Sequence, residues 1–328
     1  MARRGSLLLA TLLLVAVCAG CVPLVQTTED PTRAPAIEGD GFIADDGARL
    51  PLRIWHSSEP PQAVIVAVHG FNDYSKAWEL PATWWAAHGV TTYAFDQRSF
   101  GETEARGIWP GRARMTQDLR EVTALVGRRN PGKPLYLVGE SMGAAVVMAA
   151  MAGPDPPRVA GIVLSAPAVW GRRNMNPFYR GSLWLAAHLM PWNRVTGDGL
   201  HIQASDNIEM LRALGRDPLV IKSTRIDAVY GLVNLMDAAL AATPRITTPA
   251  LVLYGVRDEV IPRRPVERML EHWQGPHRVA LYPDGWHMLF RDLEAPVVWG
   301  DVLAWMRDRA APLPSGEERN GLPLFAKR

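Results

Sequence analysis

The stretch "LYLVGESMGAAVVMAAM", Leu135 to Met151, decides the fold. A short apolar run ends at Gly139, Ser141 stands between Gly139 and Gly143, and an alanine-rich run without proline follows. The first part suits a buried strand and the last a helix, because alanine loses little entropy in a helix. The pattern G-x-S-x-G then falls on a strand-to-helix turn. A serine there is held in a strained conformation, and its neighbours two residues away must lack bulk so that the backbones can approach. Five residues of this kind are a weak signal alone, and a small polar residue in a loop between core elements remains open at this point. The predicted strand before and helix after are what favour a nucleophile.

The same alternation extends outward. "AVIVAVHG", "TTYAFD", "KPLYLVG", "VAGIVLSAP", "TPALVLYGVRD" and "HRVALYPDGWH" have the length and apolar content of buried strands. Between them, a stretch near Lys76 to His88, "GRARMTQDLREVTALVGRR" and Met142 to Met151 have helical patterns. "GFIADDGARLPLRIWHS" is predicted to form a hairpin that turns at Asp46-Gly47. Strands alternating with helices imply an α/β fold: a mostly parallel sheet with helices on both faces, over residues 41–168 and 244–310. Residues 169–243 break the rhythm with "NPFYRGSLWLAAHLMPW", "NIEMLRALG" and "DAVYGLVNLMDAAL", and are expected as an inserted helical cap without a clear strand. Phe178, Trp184, Leu185, Leu189, Met190 and Trp192 concentrate there, either lining the approach of an acyl chain or forming the cap's own small core.

A serine hydroxyl needs a base, and the base needs an orienting group. Among eight histidines, chain order selects. When a serine is presented on such a turn of an open sheet, the acid follows a late strand and the histidine comes last. Asp258 ends "LVLYGVRD" and His287 follows the next strand in "LYPDGWHMLF", both at the carboxyl edge where open α/β sheets hold their sites. Asp258 has a rival reading as a helix cap before Arg263, and Asp284 is a rival acid better suited to shaping the turn with Gly285. An oxyanion hole would use the amide of Met142, directly after the serine, and that of Phe71, after His69-Gly70. His69 is expected to be structural.

The ends of the chain carry different information. "MARRGSLLLATLLLVAVCAGC" has Arg3 and Arg4, then roughly a dozen apolar residues, then small residues before Cys21, the order of an export signal over residues 1–21. "CAGC" resembles a bacterial lipobox, which implies lipidation of Cys21 and anchoring of the periplasm-facing protein in a bacterial cell envelope; a plain signal segment, leaving a secreted or periplasmic soluble protein, is the alternative. Residues 22–40, rich in Pro, Thr and acidic residues, are expected as a flexible tether, and 311–328 as a loosely held tail. The only cysteines are Cys18 and Cys21, so no thiol chemistry is expected of the folded part. Over 328 residues, 35 Lys and Arg against 33 Asp and Glu give a net charge of +2 without a basic run, so a nucleic-acid partner is not expected.

Together "VHGFNDYS", "FDQRSFGET", "VGESMGA", "LSAP", "YGVRDEVIP" and "GWHMLFRD" resemble the α/β-hydrolases of the monoacylglycerol lipase, lysophospholipase and serine aminopeptidase-like group, over nearly all of residues 41–309. The resemblance implies Ser141 as nucleophile, Asp258 and His287 as its partners, the amides of Phe71 and Met142 as oxyanion hole, and a helical cap over an acyl pocket. Two positions depart from it: Asp96 leads into "QRSFG" where a Gly-His-Gly run is common, and Glu140 precedes the serine where His is common. The expected activity is hydrolysis of carboxylic esters such as monoacylglycerols or lysophospholipids through an acyl-enzyme, without metal or cofactor. An amidase or peptidase of the same fold, and a non-catalytic envelope lipoprotein that binds lipid or protein, are the competing readings.

Overall fold

A computed structural model describes residues 22–319, except 28, 198, 200 and 201. In chain order the elements are β1 (Ala36–Glu38), β2 (Gly41–Ile43), β3 (Arg49–Trp55), β4 (Ala63–Val68), α1 (Glu79–Ala87), β5 (Val90–Phe95), α2 (Arg112–Arg129), β6 (Leu135–Glu140), α3 (Met142–Met151) and β7 (Gly161–Ser165). Next come α4 (Pro177–Leu189), β8 (Arg194–Thr196), α5 (Ile208–Arg216), β9 (Ser223–Arg225) and α6 (Ile226–Ala242). The chain then forms β10 (Ala250–Gly255), α7 (Arg263–Glu271), β11 (His277–Tyr282), α8 (Ala295–Arg307) and β12 (Glu318–Arg319).

The main sheet runs β1, β2, β3, β5, β4, β6, β7, β10, β11, β12. Its six central strands, β5 to β11, are parallel, and the outer pairs are antiparallel. A strand buried on both faces needs no polar alternation, and β4 shows why: Val64, Val66 and Val68 join one core cluster, while Ala63, Ile65 and Ala67 join the other. The first cluster takes Leu119 and Val122 of α2, Val146 of α3, Leu235 of α6 and Val266 of α7. The second takes Trp85 of α1 and Trp299, Val302 and Trp305 of α8. This is the α/β-hydrolase architecture.

Between β7 and β10 lie α4, α5 and α6, with β8 and β9 paired antiparallel as a short separate ribbon. The sequence gives no strand there, because three-residue strands have no readable period. The aromatic and aliphatic set on α4 and its following turn forms no core: Phe178, Trp184 and Trp192 are 74%, 53% and 53% exposed, and Ala187 alone on α4 is buried.

Both terminal expectations need correction. Residues 22–40 do not form a free tether: Ala36–Glu38 pair with β2, Gln26 donates to Ser99 Oγ and to the Ile108 carbonyl at 2.9 Å each, and the Leu24 amide donates to Asp227. Residues 311–319 are likewise held, since β12 pairs with β11 and Ser315 is bonded to the buried Asp301. The rest of the expected tail, the signal segment and Cys21 lie outside the described residues.

Candidate active site

Sheet register brings the site's loops together. Val68 of β4 pairs with Gly139 of β6, Glu140 of β6 with Ser165 of β7, and Ser165 with Leu253 of β10, so the carboxyl ends of four neighbouring strands finish side by side. Gly255 of β10 pairs with Tyr282 of β11 and extends the row to the two remaining loops.

Ser141 has φ 54° and ψ −116°, a conformation that costs a non-glycine residue of order 1–3 kcal/mol. Its surroundings hold it there. The Ser141 amide donates to the Ser165 carbonyl at 2.9 Å, and its own carbonyl accepts from Ala168 and Ala145 at 3.1 and 3.2 Å. A Cβ on Gly139 would stand 2.6 Å from the Ala144 nitrogen, and one on Gly143 would collide with the Val68 and His69 carbonyls, 2.7 Å from the His69 oxygen. The two glycines of G-x-S-x-G are therefore required by contact. A Cβ on Gly70 would lie 3.5 Å from the Ser141 Cβ, which puts the 69–71 loop against the serine. Among the described residues, no acceptor takes the amide of Phe71 or of Met142.

His287 Nδ1 donates to Asp258 Oδ2 at 2.9 Å, with both side chains buried. Asp258 is aimed by its other oxygen, which accepts the Val260 and Ile261 amides at 2.7 and 2.9 Å. It therefore shapes its turn and orients the imidazole together, while the helix cap before Arg263 is Pro262. Burial pulls the His287 pKa down, but the Asp258 charge and hydrogen bond, with the Glu140 charge, outweigh it and leave it above the ordinary 6.5. Asp284 points to solvent and pairs with Arg257.

His69 is fully buried and plays another part. Its Nε2 accepts the Gln97 amide at 2.9 Å, so Nδ1 carries the proton and donates to the Gly70 carbonyl at 2.8 Å. Burial holds its pKa below the ordinary value, which keeps the ring neutral. Gln97 returns the bond by donating to the His69 carbonyl at 2.8 Å, and Asp96 accepts the Ser75 and Glu102 amides, so "DQRSFG" braces the 69–71 loop.

One feature of the site has no counterpart among the sequence-predicted residues. Arg291, four residues after His287, is buried between Asp73 at 2.7 Å and Glu140 at 2.9 Å. Burial opposes its charge, but the two carboxylates raise its pKa further above an already high value. The insertion reaches the same loop: the Met288 amide donates to Ala204, Asn207 donates to the Arg291 carbonyl, and Ser205 donates to Asp292 at 2.6 Å.

The sequence matches the Hydrolase_4 family, described as serine aminopeptidase S33, over residues 59–294. It is 26% identical over 284 residues to a monoacylglycerol lipase of Mycolicibacterium smegmatis, covering 81% of this chain and 95% of that one. With a monoglyceride lipase of Homo sapiens it shares 24% identity, over 86% of this chain and 94% of the other. Among solved structures, a soluble variant of the monoglyceride lipase of Saccharomyces cerevisiae in complex with a substrate analog superposes with TM-score 0.70 at 20% identity, over 88% and 99% of the two chains. The Paleococcus ferrophilus monoacylglycerol lipase gives 0.66 at 21%, over 78% and 98%.

Proposed function

The chain belongs to the serine aminopeptidase S33 family of α/β-hydrolases, and from that premise we propose that it is a serine carboxylester hydrolase acting on monoacylglycerols, lysophospholipids or related acyl esters. The observation that carries the reading is the Asp258–His287 hydrogen bond, 2.9 Å long, at the sheet edge where Ser141 is held at φ 54°. His287 Nε2 takes the Ser141 proton as Oγ attacks the acyl carbonyl carbon. Asp258 keeps the other ring proton on Nδ1 and steadies the imidazolium. The oxyanion forms against the amides of Phe71 and Met142. On collapse the carbon–oxygen bond to the alcohol breaks, and His287 returns the proton to the leaving oxygen. Water, deprotonated by His287, then attacks the acyl-serine and releases the fatty acid. Relatives named for monoacylglycerol hydrolysis support the lipid-like substrate.

Lipidation of Cys21 and a periplasm-facing place on a bacterial envelope membrane belong to the same proposal. Supporting it, Val22, Pro23, His188 and Tyr230 line one surface cleft, and His188 stacks on the exposed Trp184 of α4. A lipid surface is the natural cover for such a set. Mass spectrometry of the mature amino terminus decides: an unmodified Cys21, or cleavage elsewhere, overturns the anchor.

For the activity, a chain-length series of nitrophenyl esters and monoacylglycerols is run beside a fluorophosphonate probe, with Ser141→Ala as control. Turnover and labelling of the wild type, both lost in Ser141→Ala, are expected. Folded wild type that neither labels nor turns over any ester would sink the reading.

A further inference from the structure

Three residues far apart in sequence meet in one buried cluster. Asp73 stands two residues after Phe71, Glu140 immediately before Ser141, and Arg291 four residues after His287. Arg291 Nη1 forms an ion pair with Asp73 Oδ2 at 2.7 Å and Nη2 donates to Glu140 Oε2 at 2.9 Å, with side-chain exposures of 6% for Arg291, 8% for Asp73 and 4% for Glu140. The oxyanion loop, the serine turn and the histidine loop thus each send one charged group into the cluster. We propose that Arg291 is a positioning residue: forked between Asp73 and Glu140, it fixes the oxyanion loop, the serine turn and the histidine loop relative to one another and offsets the Glu140 charge beside His287. This rests on Ser141, Asp258 and His287 being the catalytic set.

Stability is a poor explanation for such a cluster, because a buried ion group is often replaced by packed apolar residues without loss. Placement is a better one. The planar fork of arginine holds two carboxylates in fixed directions, which an ammonium does not. Electrostatics gives a second role. The charges acting on His287 are Asp258 and Glu140, which favour its protonated form, and Arg291, which opposes it. Without Arg291, the imidazolium would persist to higher pH; without the Glu140 charge, it would be lost at lower pH. Glu140 Oε1 and Arg291 Nε have no partner among the described residues, so the fork is the attachment between the two side chains.

The test compares Arg291→Met, Arg291→Lys and Glu140→Gln, reading kcat and KM on a short soluble ester, kcat/KM against pH, the fluorophosphonate labelling rate and the melting temperature. Arg291→Met is expected to lower kcat about 10²-fold, the cost of a misplacement near 1 Å, with KM within about threefold. Its acidic limb moves to higher pH, while that of Glu140→Gln moves to lower pH. Arg291→Lys restores the limb of the wild type but only part of kcat. Limbs that stay in place or move together in folded variants, or wild-type kcat in Arg291→Met, overturn the proposal. If Arg291→Met does not fold, the Glu140→Gln limb and the Arg291→Lys kcat decide, and wild-type values in both overturn it. A wild type that takes no probe defeats the catalytic reading itself, whereas a reactive wild type with indifferent variants defeats only the role of Arg291.

Discussion

Gly143→Ala tests whether the serine turn is held by contact as the geometry requires. A methyl at this position would stand 2.6 Å from the Val68 carbonyl carbon and 2.7 Å from the His69 oxygen. Ordinary carbon contacts are about 3.5–4.0 Å, so the serine turn or the 68–70 backbone must retreat by about 1 Å. Both sides belong to the site: one carries Ser141, the other leads to the Phe71 amide. A displacement of about 1 Å lowers turnover on the order of 10²-fold. Overpacking costs about 1–3 kcal/mol, or roughly 2–5 °C in Tm for a domain of this size. The assay is kcat and KM on a soluble nitrophenyl ester beside thermal unfolding, with Gly127→Ala as control. Gly127 lies inside α2, and a methyl there meets only Leu135 Cδ2, at an ordinary 3.7 Å. That variant is expected to keep its activity and to gain about 0.5–1 kcal/mol, since alanine is favoured in a helix interior. A folded Gly143→Ala protein with kcat within about threefold of wild type would refute the reasoning.

Three further outcomes follow from burial and charge. The acidic limb of kcat/KM is expected above pH 6.5, because His287 must lose its proton to act as base and its pKa is raised. Asp258→Asn removes the largest raising influence and leaves burial, so the limb moves down while kcat falls on the order of 10³- to 10⁴-fold; a pH–rate series reads both. Arg98 donates to Asp118 at 2.7 Å and to Asp46 at 2.7 Å in a buried cluster, so Arg98→Met leaves carboxylates under-paired and costs about 3 kcal/mol by denaturant unfolding.

The sheet and the serine turn were legible because their signals are local. Continuous apolar runs mark strands covered on both faces, and the glycines on either side of Ser141 mark a turn whose neighbours touch. That Asp258 and His287 pair was legible through chain order, since each lies in the loop after a strand of the parallel set. What escaped depends on distant partners. Gln26 reads as part of a polar tether until Ile108, 82 residues on, is seen to accept its amide. β1 and β12 have three and two residues, too few for a period, and exist by pairing with β2 and β11. The aromatic set of the insertion illustrates the opposite limit: hydrophobicity marks Trp184 and Trp192 as apolar, but their exposure depends on which surfaces the insertion finds to pack against.

The two departures from the familiar motif have different structural explanations. Gln97, where a Gly-His-Gly run is common, bonds His69 from both its backbone and its side chain, so the substitution is absorbed within one loop. Glu140 could not be absorbed that way. A carboxylate buried beside the serine turn with no cation would carry a heavy desolvation cost, and Arg291 without its carboxylates would carry the same cost with the opposite sign. Neither residue makes sense alone when its side chain is buried to this degree. Glu140 and Arg291 are therefore one feature written at two places in the sequence, 151 residues apart, with Asp73 supplying the third contact. A motif read one position at a time records Glu140 as an exception. The structure makes it half of an ion pair that spans the site.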